Sequence, residues 1–131
     1  MSAVGDVLPR EEVVITRTMI VATAIASRDY QDVHHDPALA VERGSKDIFM
    51  NILTSNALAE RYVARWAGPA ARMRRIRIRL GAPNYPGDTM VFTGEVSSIE
   101  GCLAEVTVRG SNSLGTHLSG TVTIELPEVA A

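Results

Sequence analysis

Residues 47–68, DIFMNILTSNALAERYVARWAG, carry the longest helical pattern in the sequence. Apolar residues recur there at a spacing of four, in the pairs Leu53/Ala57, Leu58/Tyr62 and Tyr62/Trp66. In an α-helix this spacing places side chains on one face, where they can bury against another layer of structure. Gly68-Pro69 then forms a helix stop signal. We therefore predict one long amphipathic helix over this stretch.

After this helix the apolar pattern changes from helical spacing to alternation. Four segments alternate, at 74–80 (RRIRIRL), 89–98 (TMVFTGEVSS), 102–110 (CLAEVTVRG) and 116–127 (THLSGTVTIELP). One face of the last three carries Met90, Phe92, Val96, Ala104, Val106, Val108, Leu118, Val122, Ile124 and Leu126. Alternation predicts half-buried strands, and turn signals at Glu100-Gly101 and 111–115 join the last three as an antiparallel meander.

The part before the long helix predicts one strand and two further helices. Residues 12–16 suit a short strand, and a helix follows to about Asp29 with Thr18 as a candidate N-cap. Asp36-Pro37 is a helix start, because the carboxylate can accept backbone N–H groups and proline suits the first helical position. This short helix, 37–43, ends at Gly44. The layout predicts an α+β fold in which the long helix covers one face of an antiparallel sheet.

Composition limits the function classes. The 131 residues suffice for one domain, 1–131, and are too few for two. A net charge of -2 gives no reason to expect a nucleic acid or acidic membrane as partner. No apolar run approaches the roughly 18 residues of a membrane span, and the N-terminus lacks a signal-peptide pattern, so we expect a cytoplasmic location. Cys102 is the single cysteine, and we expect it to be a small buried side chain in a strand.

The stretch RDYQDVHHDP, 28–37, concentrates carboxylates and imidazoles. From the residues alone, Asp29 could end a helix and join a turn, and His34 could be a solvent-facing residue or a ligand. We expect His35 to be exposed or a packing partner, Asp32 to be a solvated loop carboxylate and Asp36 to be an N-cap. Neither this cluster nor the single cysteine has the spacing of a metal site, so no metal is predicted.

This segment resembles the D-x-N-P-x-H-x-D-P motif of MaoC-like hydratases and dehydratases, in which Asp29 and His34 match the acid and the imidazole. The succeeding short helix, glycine, long helix and P-x-x-P-G-D-T turn at Pro83–Thr89 occur in the family's order. The resemblance implies a hotdog fold, an antiparallel sheet wrapped around a long central helix. Residues 47–63 also resemble the small catalytic subunits of actinobacterial steroid side-chain enoyl-CoA hydratases, a narrower branch of the family.

The resemblance implies an enoyl-CoA hydratase with Asp29 and His34 as the catalytic pair. Hydration of an enoyl thioester needs a positioned water, a base, an acid and donors for the developing enolate oxygen. A carboxylate and an imidazole that share one water can meet the first three needs, although the sequence does not say which is the base. The backbone N–H of Asn51, near the start of the long helix, is the candidate oxyanion donor. Coenzyme A is part of the substrate, and no further cofactor is expected.

The sequence departs from the family pattern at two places. Gln31-Asp32 stand where the family commonly has Asn-Pro, which changes the loop between the acid and the imidazole. Met50-Asn51 stand where it often has His-Gly, although a backbone donor survives a change of side chain.

The resemblance also implies an acyl-CoA thioester substrate with a bulky, steroid-derived acyl group, and a dimer with a second hotdog chain or with another copy. Two alternatives stay open: a hotdog thioesterase, and a non-catalytic scaffold subunit. Arg75, Arg77 and Arg79 share one strand face, which predicts a solvated outer face. A sharper hypothesis is that one or two of the arginines at 72, 74, 75, 77 and 79 bind the phosphates of coenzyme A, which charge reversal at Arg77 or Arg79 would test. For His117, in the last strand, the sequence suggests no partner.

Overall fold

The computed structural model describes residues 2–127 and contains one five-stranded antiparallel sheet in the order β1-β3-β4-β5-β2. The strands are β1 (Glu11–Val14), β2 (Arg72–Leu80), β3 (Thr89–Glu100), β4 (Leu103–Asn112) and β5 (Gly115–Glu125). The α-helices are α1 (Arg17–Ala26), α2 (Pro37–Glu42) and α3 (Ile52–Ala67), and Asp32–His34 form a short 3-10 turn. The predicted α+β layout and the β3-β4-β5 meander are confirmed. No helix within the described residues is long and apolar enough to cross a membrane.

The core lies between α3 and the inner face of the sheet. All the predicted inward side chains of β3, β4 and β5 are buried, and Leu126 beyond β5 is partly buried. From α3, the ring of Tyr62 stacks on Phe92 with centroids 4.8 Å apart and planes at 12°. Burying each large apolar side chain contributes roughly 1.5–3 kcal/mol, so this layer supplies most of the driving force for the fold. The apolar pair Leu53/Ala57 instead faces outward, where it lines a groove against α1.

Three predicted helix boundaries and the position of Cys102 are wrong; tertiary hydrogen bonds move the start of α3, whereas local capping bonds set both ends of α1. The long helix begins at Ile52, since the residues before it bond elsewhere: Phe49 N donates to Val33 O and Met50 N donates to Asn84 O. The first helix is capped by Thr16, not Thr18, and ends at Ala26 instead of Asp29. Cys102 lies in the turn before β4 and is only partly buried.

Strand β2 forms one edge of the sheet and carries the arginine-rich face. Arg75, Arg77 and Arg79 are exposed, whereas Ile76 and Ile78 are half-buried, which confirms the predicted solvated outer face. The backbone of β2 lies unusually close to β5 at Gly120, where a Cβ atom would stand 2.0 Å from the carbonyl oxygen of Arg77. Glycine is therefore required there for the two strands to pair.

Candidate active site

Asp29 is held by the end of helix α1. The N–H of Asp29 donates to Ala24 O and the N–H of Arg28 donates to Ile25 O, both at 2.9 Å. This pair of bonds closes the helix in a Schellman motif, which requires its penultimate residue in the left-handed region. That residue is Arg28, with φ 56°, instead of the usual glycine. The motif fixes the backbone of Asp29 and turns the chain towards His34.

His34 comes from the short 3-10 turn and is buried. Its Nδ1 lies 2.7 Å from the carbonyl oxygen of Phe49, which can only accept, so Nδ1 carries a proton. The Phe49 ring also packs edge-on against the imidazole, with centroids 5.1 Å apart. These two contacts fix the ring orientation and leave Nε2 directed at Asp29.

The predicted acid and imidazole converge in space. Asp29 Oδ2 lies 3.4 Å from His34 Nε2, and the two side chains are 21% and 7% exposed. With Nδ1 protonated, a neutral His34 presents Nε2 as an acceptor, and an ionised carboxylate is an acceptor too. Two acceptors at this separation can share one water molecule that donates an O–H group to each. The acid and the imidazole thus approach each other with Gln31-Asp32 in place of Asn-Pro.

Asn51 joins the pair from the start of α3. It is buried and is the N-cap of that helix, with its side-chain Oδ1 accepting from Thr54 N at 3.2 Å. Its Nδ2 donates to Ser27 Oγ at 2.9 Å and to Asp29 Oδ2 at 3.2 Å. Its backbone N–H has no hydrogen-bond acceptor among residues 2–127. The positive end of the α3 dipole therefore lies beside the Asp29 carboxylate.

Another buried polar contact of α3 involves His117, for which the sequence suggested no partner. Its Nδ1 donates to Ala82 O and its Nε2 accepts from Ser55 Oγ, both at 2.7 Å. Burial lowers the pKa of His117 from its ordinary value of 6.5, against the opposing effect of the bond to Ala82. Ser55 lies one turn beyond Asn51, so this contact anchors the start of α3 to β5. A separation of 62 residues hides the pair from local sequence patterns.

The remaining polar residues of the 28–37 stretch lie outside the pair. His35 is exposed, with Nε2 3.2 Å from Tyr30 O, and Asp36 caps α2 as predicted. Asp32 lies in the surface turn as predicted, and it also forms an unpredicted two-pronged ion pair with Arg43, with both distances 2.7 Å. Arg43 lowers the pKa of that carboxyl. The end of α2 folds back over the turn and brings this arginine within reach, which local sequence does not reveal.

Exposed apolar side chains and a groove lie at the ends of α1 and α3. Ile25, Tyr30, Ile52 and Leu53, at the facing ends of α1 and α3, are all more than half exposed. A groove of about 350 Å³ runs between these helices and is lined by Ser27 and Thr54, the hydrogen-bond partners of Asn51, but not by Asp29 or His34. Among residues 2–127 no group of three or more His, Cys, Asp or Glu side chains could hold a metal ion. The arrangement is suited to proton transfer beside an apolar ligand.

Comparison with known proteins identifies the family. Residues 2–116 match the family described as MaoC like domain. The chain belongs to this family. This MaoC-like chain is 50% identical over 126 residues to the 3-oxo-4,17-pregnadiene-20-carboxyl-CoA hydratase beta subunit of Mycobacterium tuberculosis (strain ATCC 25618 / H37Rv), covering 96% of this chain and 98% of the relative.

Solved structures confirm the predicted hotdog fold. A chain in the crystal structure of the ChsH1-ChsH2 complex from Mycobacterium tuberculosis matches with a TM-score of 0.95 at 50% identity, covering 97% of this MaoC-like chain and 100% of that one. The (R)-hydratase from A. caviae involved in PHA biosynthesis matches with a TM-score of 0.84, covering 96% and 98%. At 20% identity the latter match concerns the fold alone.

Proposed function

We propose that this chain is the catalytic subunit of an enoyl-CoA hydratase that adds water across the α,β double bond of a bulky, steroid side-chain enoyl-CoA. The observation that carries the proposal is the 3.4 Å approach of Asp29 Oδ2 to His34 Nε2 beside the amino end of α3. Similarity over nearly the full length to a subunit named as a hydratase of a steroid side-chain acyl-CoA supports the substrate class. The reaction needs no cofactor besides the coenzyme A that the substrate carries.

The proposed chemistry uses the pair twice. Asp29 and His34 hold one water, which attacks the β-carbon as one of the two groups takes its proton. The pair then returns one proton to the α-carbon, so that water is added and both groups regain their starting state. Proton transfer by a positioned side chain typically accelerates a reaction about 10²–10⁴-fold. Both groups are close enough to one water to act in the same step.

The start of α3 stabilises the charge that develops on the thioester oxygen. The unbonded backbone N–H of Asn51 and the positive end of the helix dipole both favour negative charge there. This donor belongs to the main chain, so it does not depend on the family's usual glycine. Its contribution is to the enolate-like transition state, in which the oxygen carries more charge than in the substrate.

The assembly that we propose contains a second hotdog chain. Strand β2 is a nine-residue edge of the sheet, and its outer backbone groups have no neighbouring strand among residues 2–127. An edge of this length invites pairing with another sheet. The highly similar ChsH1-ChsH2 structure is a complex of two differently named chains, which supports a hetero-oligomer over a homodimer. Co-purification from the native host, with mass spectrometry of the bound chains, distinguishes the two.

The function is tested by following the ultraviolet absorbance of an enoyl thioester with the purified assembly. We expect Asp29→Asn and His34→Gln each to lower kcat by at least about 10²-fold. The matched control is His35→Gln, which changes the adjacent, exposed imidazole and should leave kcat unchanged. Full turnover in the Asp29→Asn variant would support the scaffold alternative, and release of free thiol from a saturated acyl-CoA would support a thioesterase.

The role of the arginine face in binding coenzyme A is a separate part of the proposal. Arg77 and Arg79 are exposed and form no ion pair among the described residues, so both guanidinium groups are available for phosphate. We expect Arg77→Glu and Arg79→Glu to raise KM for a CoA thioester, with little change in kcat. An unchanged KM in both variants would remove the face from the proposed site.

A further inference from the structure

We propose that the side chain of Asn51 is a positioning residue for Asp29, distinct from the oxyanion role of its backbone. The inference rests on the proposed function and concerns how the Asp29 carboxylate is held in its reactive orientation. Asn51 contacts the end of α1 and the start of α3 at once, and these two helix ends carry the acid and the oxyanion donor.

Hydrogen bonds determine the orientation of the Asn51 amide. Its Oδ1 accepts from the backbone N–H and the hydroxyl of Thr54, and its Nδ2 donates to Ser27 Oγ and Asp29 Oδ2. All four hydrogen-bonding positions of a buried amide are thus used. A flipped amide would place an oxygen against the Asp29 carboxylate and an NH₂ group against the Thr54 N–H. Only one orientation satisfies every partner.

Ser27 makes the contact a clamp between two helices. Its Oγ donates to Thr23 O at 2.7 Å, within α1, and accepts from Asn51 Nδ2 at 2.9 Å. The hydroxyl proton is thereby committed to α1, which leaves the oxygen lone pairs for Asn51. The last turn of α1 and the first turn of α3 are therefore tied together two residues before Asp29.

The clamp restrains the orientation of the Asp29 carboxylate. The N–H from Asn51 and the imidazole of His34 both approach the same carboxylate oxygen, Oδ2, at 3.2 and 3.4 Å. This shared contact restrains rotation of the carboxylate and keeps Oδ2 facing the imidazole. Asn51 thus favours the geometry in which the carboxylate and the imidazole can share one water.

Two substitutions separate this role from the backbone donor. Asn51→Asp keeps an oxygen that can cap Thr54 N, but it replaces the donor to Asp29 with a second carboxylate. We expect kcat to fall by at least about tenfold and the shape of the kcat–pH profile to change, because a second carboxylate then lies beside Asp29. Asn51→Gly keeps the backbone N–H and removes the side chain. We expect a similar loss of kcat with KM nearly unchanged.

Thr16→Ala is the control for helix capping. Thr16 caps α1 through Met19 N at the end remote from Asp29, so this variant should lower Tm and retain the wild-type kcat and pH profile. Wild-type kcat and pH profile in Asn51→Asp would overturn the proposal. An equal loss of kcat in Thr16→Ala would also overturn the proposal, because loss of stability alone would then explain the loss of kcat in the Asn51 variants.

The outcome can be separated from failure of the hydratase proposal. If the wild-type assembly does not hydrate enoyl thioesters, the proposed function fails, whereas an active wild type with unaffected Asn51 variants refutes only this inference. A readout without catalysis is the free energy of unfolding. The losses caused by Asn51→Gly and by Asp29→Asn should be non-additive in the double variant, because the two side chains share a contact, and additive losses would contradict the clamp.

Discussion

His117 should make the stability of this protein sensitive to mild acid. Its imidazole is buried, with Nδ1 bonded to Ala82 O and Nε2 to Ser55 Oγ, and burial lowers its pKa below 6.5. In the unfolded chain the same group titrates near its ordinary pKa. Below about pH 6.5 the imidazole therefore binds a proton more readily in the unfolded state than in the folded state. The contribution of the neutral imidazole to folding is fully present above that pH and is lost as the pH falls.

The magnitude follows from linkage. One such group changes the free energy of unfolding by at most about 1.4 kcal/mol per pH unit. Between about pH 7.5 and 5.5, with an unfolded pKa of about 6.5, the loss is at most about 1.4 kcal/mol. Urea unfolding at both pH values measures it. His117→Asn preserves a donor towards Ala82 O and removes the titration, so it should lose less stability on acidification than wild type does.

The control for this experiment is His35→Asn, in which an exposed imidazole is removed. We expect it to keep the wild-type pH dependence. Ser55→Ala tests the partner directly, since leaving a buried acceptor unsatisfied costs about 1–3 kcal/mol. Ser97→Ala, at an exposed strand hydroxyl, should be close to neutral. If His117→Asn and wild type lose equal stability on acidification, the assignment of a lowered pKa to His117 is refuted.

Further substitutions test the backbone and the core. Arg28→Gly should raise the free energy of unfolding by roughly 0.5–1 kcal/mol, because φ 56° disfavours a side chain. Arg28→Ala, which keeps a Cβ atom, should not raise it. If urea unfolding gives the same free energy for both variants, backbone strain at Arg28 is refuted. Gly120→Ala should cost about 3 kcal/mol or more through a clash with the Arg77 carbonyl. Its control, Gly87→Ala, has open space around the new Cβ and should lose only about 1–2 kcal/mol in thermal or urea unfolding. Burial raises the pKa of Tyr62 to about 12, so the wild type should lose stability as the pH rises above about 10. Tyr62→Phe should lack this loss. Unfolding measured below and above about pH 10 compares the two proteins.

Local sequence patterns predicted an element correctly where interactions within a few residues determine it. Alternation placed Met90, Phe92 and Val96 in the core because a strand with one buried face has a period of two. Asp36-Pro37 predicted the start of α2 because both residues act within one helical turn. Thr18 failed as the cap of α1 because Thr16, two residues earlier, supplies the capping oxygen, and pattern alone does not rank the two.

The candidate site, too, could be predicted from local sequence only in part. The spacing of Asp29 and His34 is local, so a motif can reveal the pair, and the structure brings the two groups together. The side chain of Asn51 lies 22 residues from Asp29, and its contact with the carboxylate follows from the packing of α1 against α3. The Ser55–His117 contact depends on the sheet register in a similar way.

The sequence by itself determined the periodicities, the helix stop signals and the residue types of the acid and the imidazole, because each depends on neighbours within a few positions. Tertiary structure alone decided where α3 begins, which nitrogen of His34 faces Asp29 and which buried groups hold the carboxylate. These features depend on hydrogen bonds between segments that are distant in the chain. A backbone or side-chain group buried by folding must find its partner wherever the packing places one.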